Sequence, residues 1–189
     1  MNLLNECADV VYNNHEKIIN PWKGTRYEKH YELDNKQKGS KGEEIIETFF
    51  TRLGCDVQKP LNTGHDRLVN GVKLECKFSL AQKDNRVANK DKVRPNWWML
   101  NHVAEGKDWE WLCFVGVNPE GHDPVMRLLS KTNFRKLKRN DREFEKYFSP
   151  QQGGKKSGND DWMAGTTKLN SFLESEYVIG VEEWLQTYA

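Results

Sequence analysis

Apolar positions follow two different rhythms along the chain. Leu3, Leu4, Cys7, Val10, Val11 and Ile18 recur at helical spacing, which predicts a helix over residues 1–19 that stops at Asn20-Pro21. Residues 21–37 mix charges and aromatics without a period and read as a connector. A second helical stripe follows in Ile45, Ile46, Phe49, Phe50 and Leu53. Ser40 with Glu43 three residues later has the form of a capping box, and Gly54 sits where a helix C-terminus favours glycine. Glu43 and Glu47, four apart, share one polar face of this helix. The period then shortens to two. Cys55–Gln58 begins a strand and residues 60–64 turn. Asp66–Val69 and Val72–Phe78 form a hairpin about Asn70-Gly71, a dipeptide that favours the two-residue turns of tight hairpins. Val72, Leu74, Cys76 and Phe78 point to one face, and Lys73, Glu75 and Lys77 to the other.

Beyond the hairpin, residues 81–95 are polar and basic and read as a loop. Asn96–Ala104 is expected to be a helix, and Glu110–Val117, the most hydrophobic run, a central strand. Residues 118–121 turn, Val125–Leu129 is a further strand, and Asp141–Phe148 a short helix. The stretch SPQQGGKKSGNDD reads as a loop, and Val181–Thr187 as a closing helix. This order predicts an α/β fold, a mixed central sheet flanked by helices.

The 189 residues suit a single domain, and seven Trp and eight Phe are enough to fill its core. No apolar run approaches membrane-spanning length and the N-terminus lacks a signal-peptide pattern, so the expectation is a cytoplasmic protein with no membrane partner. The four cysteines lack CxxC spacing. Cys55, Cys76 and Cys113 lie in apolar contexts and read as small buried hydrophobes rather than disulfide or zinc partners. Net charge is only +1, but basic residues gather in two places: Lys77 to Arg94 and Lys131 to Arg142. Such clustering fits a positive face on a neutral protein, and also an ordinary hydrated surface.

The charged face of the hairpin carries the chemistry. Its other face is apolar enough for a core strand, and three charges in a row on a core strand need a wet cleft or a bound ion. Asp66 lies across the short hairpin from Glu75, so the two carboxylates can converge. Converging carboxylates repel unless a cation sits between them. Mg²⁺ suits such a pair, because it takes one or two carboxylates and fills its remaining positions with water and phosphate oxygens. Lys77, on the same face, is placed to orient a water or to neutralise charge building on a phosphate.

Asp66 followed by Glu75-Cys76-Lys77 resembles the D…ExK core of the PD-(D/E)XK nuclease superfamily. The preceding KGSKGEE resembles the helix opening of archaeal Holliday-junction resolvases, whose first Glu faces the site. The likeness covers residues 38–80, and extends more weakly to a following core strand at Trp109–Val117. His65 stands where the motif's name has Pro. The resemblance implies a restriction-endonuclease-like core in which Asp66 and Glu75 bind Mg²⁺, Lys77 positions the attacking water and Glu43 completes the metal environment. Glu44 is the alternative to Glu43, one residue along, and Glu47 a more distant one. About 37 residues precede that core and about 110 follow it, so the chain divides into an N-terminal helical addition (1–37), a nuclease core (38–130) and a C-terminal addition (131–189). Those additions resemble the recognition and dimerisation elements of restriction endonucleases. The expected function is therefore a Mg²⁺-dependent endonuclease of restriction type acting on double-stranded DNA as a homodimer.

Lys83, Arg86, Lys90, Lys92 and Arg94 follow the catalytic strand and would border the DNA backbone, and Lys155 and Lys156 of the Gly-rich loop would close on a groove. Trp97 and Trp98 open an apolar stretch and read as core rather than as base-stacking residues. The other histidines, His15, His30, His102 and His122, show no metal-ligand spacing. Three rivals stand beside this expectation: a structure-selective nuclease of the junction-resolvase kind, a non-catalytic DNA-binding module, and a protein-interaction domain with a charged sheet face.

Overall fold

Residues 20–61, 64–83, 93–119, 122–151 and 161–188 are described in the computed structural model; the helix expected over 1–19 lies outside them. In chain order they form α1 (Glu28–Glu32), α2 (Asn35–Arg52), β1 (Val57–Gln58), β2 (Arg67–Val69), β3 (Val72–Leu80), β4 (Met99–Val103), β5 (Trp111–Val117), β6 (Val125–Ser130), α3 (Lys131–Lys138), α4 (Asp141–Tyr147), β7 (Ser149–Pro150), β8 (Trp162–Gly165), α5 (Thr166–Leu173), β9 (Val178–Gly180) and α6 (Val181–Tyr188). The main sheet is mixed, in the order β1-β2-β3-β5-β6-β9, and a small second sheet runs β4-β8-β7. Helices flank the main sheet, as the alternation of periods predicts.

Local chemistry explains the centre of this arrangement. The β2–β3 hairpin turns at Asn70 (φ 51°) and Gly71 (φ 80°), both left-handed, as its two-residue turn requires. Strand β3 then pairs parallel with β5, with Glu75 opposite Leu112 and Lys77 opposite Phe114. The connection from β3 to β5 passes through β4 and returns the chain to the start of β3. There the Glu110 amide donates to the Lys73 carbonyl at 2.9 Å.

Two apolar clusters lie against the main sheet. One joins Leu74 and Cys76 of β3 with Ile46 and Phe50 of α2 and Trp184 of α6. The larger joins Leu112 and Phe114 of β5 with Trp98, Trp109, Phe134, Phe144 and Phe172. Cys76 and Cys113 are buried free thiols and Cys55 is half-buried. No described helix is long and apolar enough to cross a membrane.

The structure departs from the sequence expectations in three ways. First, α2 begins earlier than Ser40. Asp34 is the N-cap: its side chain accepts from the Gln37 amide at 2.8 Å, and the Gln37 side chain accepts from the Asp34 amide at 3.2 Å. Second, Asn96–Ala104 is not a helix. Left-handed Asn96 and His102 break any helical run, and Met99 and Leu100 pair with Gly165 and Ala164 of β8, far along the chain. Trp98 is buried and its indole donates to the Val117 carbonyl at 3.0 Å, so both tryptophans before β4 serve packing. Third, α1, α3, β7, β8, α5 and β9 have no counterpart among the expected elements: α1 lies in the expected connector and β7 opens the expected loop from Ser149. The basic stretch from Lys131 is itself a helix, capped by Ser130, whose hydroxyl accepts from the Asn133 amide at 3.0 Å.

Candidate active site

The hairpin register brings Asp66 and Glu75 to the same end of the β2–β3 ladder. Asp66 precedes β2, and its amide donates to the Leu74 carbonyl at 2.8 Å. Its carboxylate Oδ2 accepts from the Cys76 amide at 2.8 Å, which ties it to the strand carrying Glu75 and Lys77. Burial first, then repulsion from Glu75, hold the Asp66 carboxyl above the usual carboxylate range. The Cys76 amide and the lysines offset that only in part.

Glu75 is 1% exposed, although its face of β3 was expected to be wet or ion-filled. Its Oε1 accepts from two ammonium groups, Lys77 Nζ at 2.8 Å and Lys107 Nζ at 2.6 Å. Its Oε2 is buried and has no hydrogen-bond partner among the described residues. A buried carboxylate oxygen without a partner is costly, because it has given up water and received nothing in return.

Helix α2 supplies the flank. Gly42 sits so close to β3 that a Cβ there would lie 2.4 Å from the Phe78 Cβ. That close approach sets Glu43 beside the hairpin. Burial and the Asp66 charge raise the Glu43 carboxyl, against the pull of Arg67. Glu44 belongs to the outer face: it is paired with Lys41 at 2.6 Å, and that hydrogen bond lowers its carboxyl. Arg67 is 6% exposed and holds three oxygens: Glu43 Oε2 at 3.0 Å, Glu47 Oε2 at 2.8 Å and the Asp66 carbonyl at 2.6 Å. It is a clamp between α2 and β2, so Glu47 is engaged away from the Asp66–Glu75 pair.

Two residues of this site, Arg67 and Lys107, were not singled out in the sequence. Glu43 and Glu47, four apart on one helix face, were a usable signal for a partnering cation. Lys107 has no such local signal. It comes from the loop before β5, which reaches Glu75 because β5 starts opposite Leu74. Burial works against the Lys107 charge, but Glu75 and then Asp66 outweigh it and hold the ammonium above its ordinary range.

Among the described residues no three His, Cys, Asp or Glu side chains converge to hold a metal ion. A cation here would therefore rest on Asp66 and Glu75, with Oε2 of Glu75 as the open donor and water or phosphate oxygens completing the shell. That is the sparse carboxylate set Mg²⁺ takes, so the residues fit it. His65 is buried, and neither ring nitrogen has a hydrogen-bond partner among the described residues.

Past Lys77, the end of β3 borders a cleft of about 670 Å³ lined by His30, Asn35, Lys38, Gln82, Lys83 and His102 among others. Lys83 bridges to Val93, and the Arg94 guanidinium lies over the Trp97 ring, 4.3 Å from its centre. Arg86, Lys90, Lys92, Lys155 and Lys156, expected to contact DNA, lie outside the described residues. In the second basic stretch, Arg135 and Lys138 are paired with Glu105 at 2.9 and 3.0 Å.

Compared with known families and with curated proteins, the chain matches no family model and no curated protein.

Proposed function

We propose that this protein is a Mg²⁺-dependent DNA endonuclease of the PD-(D/E)XK type, acting on double-stranded DNA as restriction enzymes do. One observation carries the reading. Glu75, at 1% exposure, keeps Oε2 without a partner among the described residues while Lys77 and the nearby Asp66 stand beside it. Lys77 and Lys107 satisfy Oε1 and balance the charge, and Oε2 is left as the donor open to a divalent cation. The order of a Glu43-bearing helix, an antiparallel β1-β2-β3 meander and a β5 strand parallel to β3 supports the same reading.

Asp66 and Glu75 would hold the cation, which supplies Lewis-acid polarisation of the phosphate and a more acidic water. Lys77 is tethered to Glu75 and orients the attacking water at the phosphorus. As the water oxygen bonds to phosphorus it gives up a proton to bulk water, the bond from phosphorus to the leaving deoxyribose oxygen breaks, and that oxygen takes up a proton from bulk water. Lys77 also offsets the negative charge that grows on the phosphoryl oxygens. Arg67 keeps Glu43 on α2 beside Asp66, so the acidic environment is set before substrate arrives. Cutting both strands of a duplex asks for two such sites, hence a homodimer.

The test is digestion of a mixed-sequence plasmid with Mg²⁺, with EDTA, and by Lys77→Ala. Discrete Mg²⁺-dependent fragments that vanish in the variant are the expected result. Cleavage confined to branched DNA would replace the restriction-type reading with a structure-selective nuclease. Salt-dependent DNA binding without any cleavage would replace it with a non-catalytic DNA-binding module.

A further inference from the structure

Lys107 makes the shortest contact to Glu75, yet the catalytic scheme above does not use it. Its backbone is fixed from several sides. The Lys131 ammonium donates to its carbonyl, and the Trp109 indole donates to the Ala104 carbonyl at 2.8 Å. Lys73 pairs with Asp108 at 2.7 Å, and its amide donates to Glu110 Oε2 at 2.9 Å. The loop from Ala104 to Glu110 is thus pinned to the start of β3 and to α3. The Lys107 side chain reaches inward from this rim, 39% exposed, on a stem that can swing.

Charge balance assigns the side chain a task. Asp66, Glu75, Glu43 and Glu47 contribute four negative charges, and Lys77, Lys107 and Arg67 three positive ones. The site therefore carries about one net negative charge as it stands. A divalent cation on Asp66 and Glu75 would turn that into an excess of about one positive charge and set the cation against the two ammonium groups on Glu75, and a lysine cannot then stay on Glu75 Oε1 at full strength.

We propose that Lys107 is a second catalytic lysine: it occupies Glu75 in the free protein, yields it to the cation, and transfers its ammonium to a non-bridging oxygen of the substrate phosphodiester. The proposal rests on the nuclease reading for its substrate. Lys107 therefore couples the two ligands, since the cation releases the ammonium that the phosphate needs. No bond is made or broken in this exchange, only ion pairs.

The experiment uses Lys107→Gln and Lys107→Arg in the full chain, with a thermal melt of each as the fold control. Mg²⁺ affinity is measured by calorimetry without DNA. Affinity for a labelled duplex is measured in Ca²⁺, used as a non-turnover cation. Lys107→Gln should bind Mg²⁺ about tenfold more tightly, because its competitor for Glu75 is gone, and bind duplex about tenfold more weakly. Lys107→Arg, which keeps the charge, should recover duplex binding. A purely structural lysine would weaken both affinities in the Gln variant, and that result overturns the proposal, as does unchanged Mg²⁺ affinity. These outcomes are separable from failure of the nuclease reading. If both shifts appear and no DNA is cleaved, the exchange stands and the nuclease assignment falls. If neither the wild type nor Lys107→Gln binds Mg²⁺, both fall.

Discussion

Two glycines of α2 should respond to alanine with opposite signs. Gly39 and Gly42 both lie inside the helix, and neither adopts a left-handed conformation. A Cβ on Gly39 would meet nothing within 4 Å, so Gly39→Ala gains only the helix preference of alanine, about 0.5–1 kcal/mol. A Cβ on Gly42 would lie 2.4 Å from Phe78 Cβ and 2.9 Å from its Cγ. The Phe78 Cβ is fixed to the β3 backbone, so a rotamer change cannot clear it and the helix must move. Overpacking of this kind costs about 1–3 kcal/mol. An approach of 2.4 Å to a Cβ that cannot swing away falls in the upper part of that range, about 2–3 kcal/mol, so against a helix-preference gain of about 1 kcal/mol Gly42→Ala should lose about 1–2 kcal/mol net. For a chain of this size that lowers Tm by roughly 2–8 °C, while Gly39→Ala raises it by about 1–4 °C. Urea and thermal unfolding of the two variants beside the wild type measure the difference. The displaced helix also carries Glu43, so Gly42→Ala should reduce any Mg²⁺-dependent activity more than its stability loss explains. A Gly42→Ala protein as stable as Gly39→Ala would refute the close approach of α2 to β3.

Arg67→Met should destabilise by about 2–3 kcal/mol in denaturant unfolding, below the usual cost of breaking a buried ion pair because Glu43 and Glu47 keep some exposure to water; a change under about 0.5 kcal/mol would contradict the clamp. Without divalent cations, the raised Asp66 carboxyl makes the folded state bind its proton more tightly than the unfolded chain. Its contribution to stability therefore grows as pH falls from the raised value toward the ordinary carboxylate range, and shrinks as pH rises. Subtracting the stability–pH curve of Asp66→Asn from that of the wild type should leave this slope, and a flat or opposite difference contradicts it. Mg²⁺ at about a hundred times its dissociation constant should stabilise the wild type by about 2.7 kcal/mol. Glu75→Gln should lose that gain in a thermal melt, and an equal gain in both proteins would place the cation elsewhere.

What the sequence revealed and what it hid follow from the range of each interaction. The β2–β3 hairpin was legible because Asn70-Gly71 and the alternation from Val72 to Phe78 are local. Gly54 marked the end of α2 for the same reason, with its φ of 85°. The start of α2 was misplaced because Ser40 and Glu43 imitate a capping box while Asp34 and Gln37 form the real one. Strand β4 was hidden because its partner, β8, lies far along the chain and its residues carry a helix-like apolar pattern. Within the site, Asp66, Glu75 and Lys77 share one hairpin and could be read together. Lys107 could not, because only the parallel pairing of β3 with β5 brings its loop to Glu75.

The Oε2 of Glu75, buried and unpartnered among the described residues, is the most specific feature of the site, so it should be probed directly. Crystals grown or soaked with Mn²⁺, which takes the same oxygen ligands and gives an anomalous signal, locate the ion without assuming any activity. We predict one anomalous peak within coordination distance of Glu75 Oε2 and the Asp66 carboxylate, with Lys107 withdrawn from Glu75. A protein that takes up no Mn²⁺ at these carboxylates, or that binds it only at surface acids such as Glu143, would contradict the metal-centred reading.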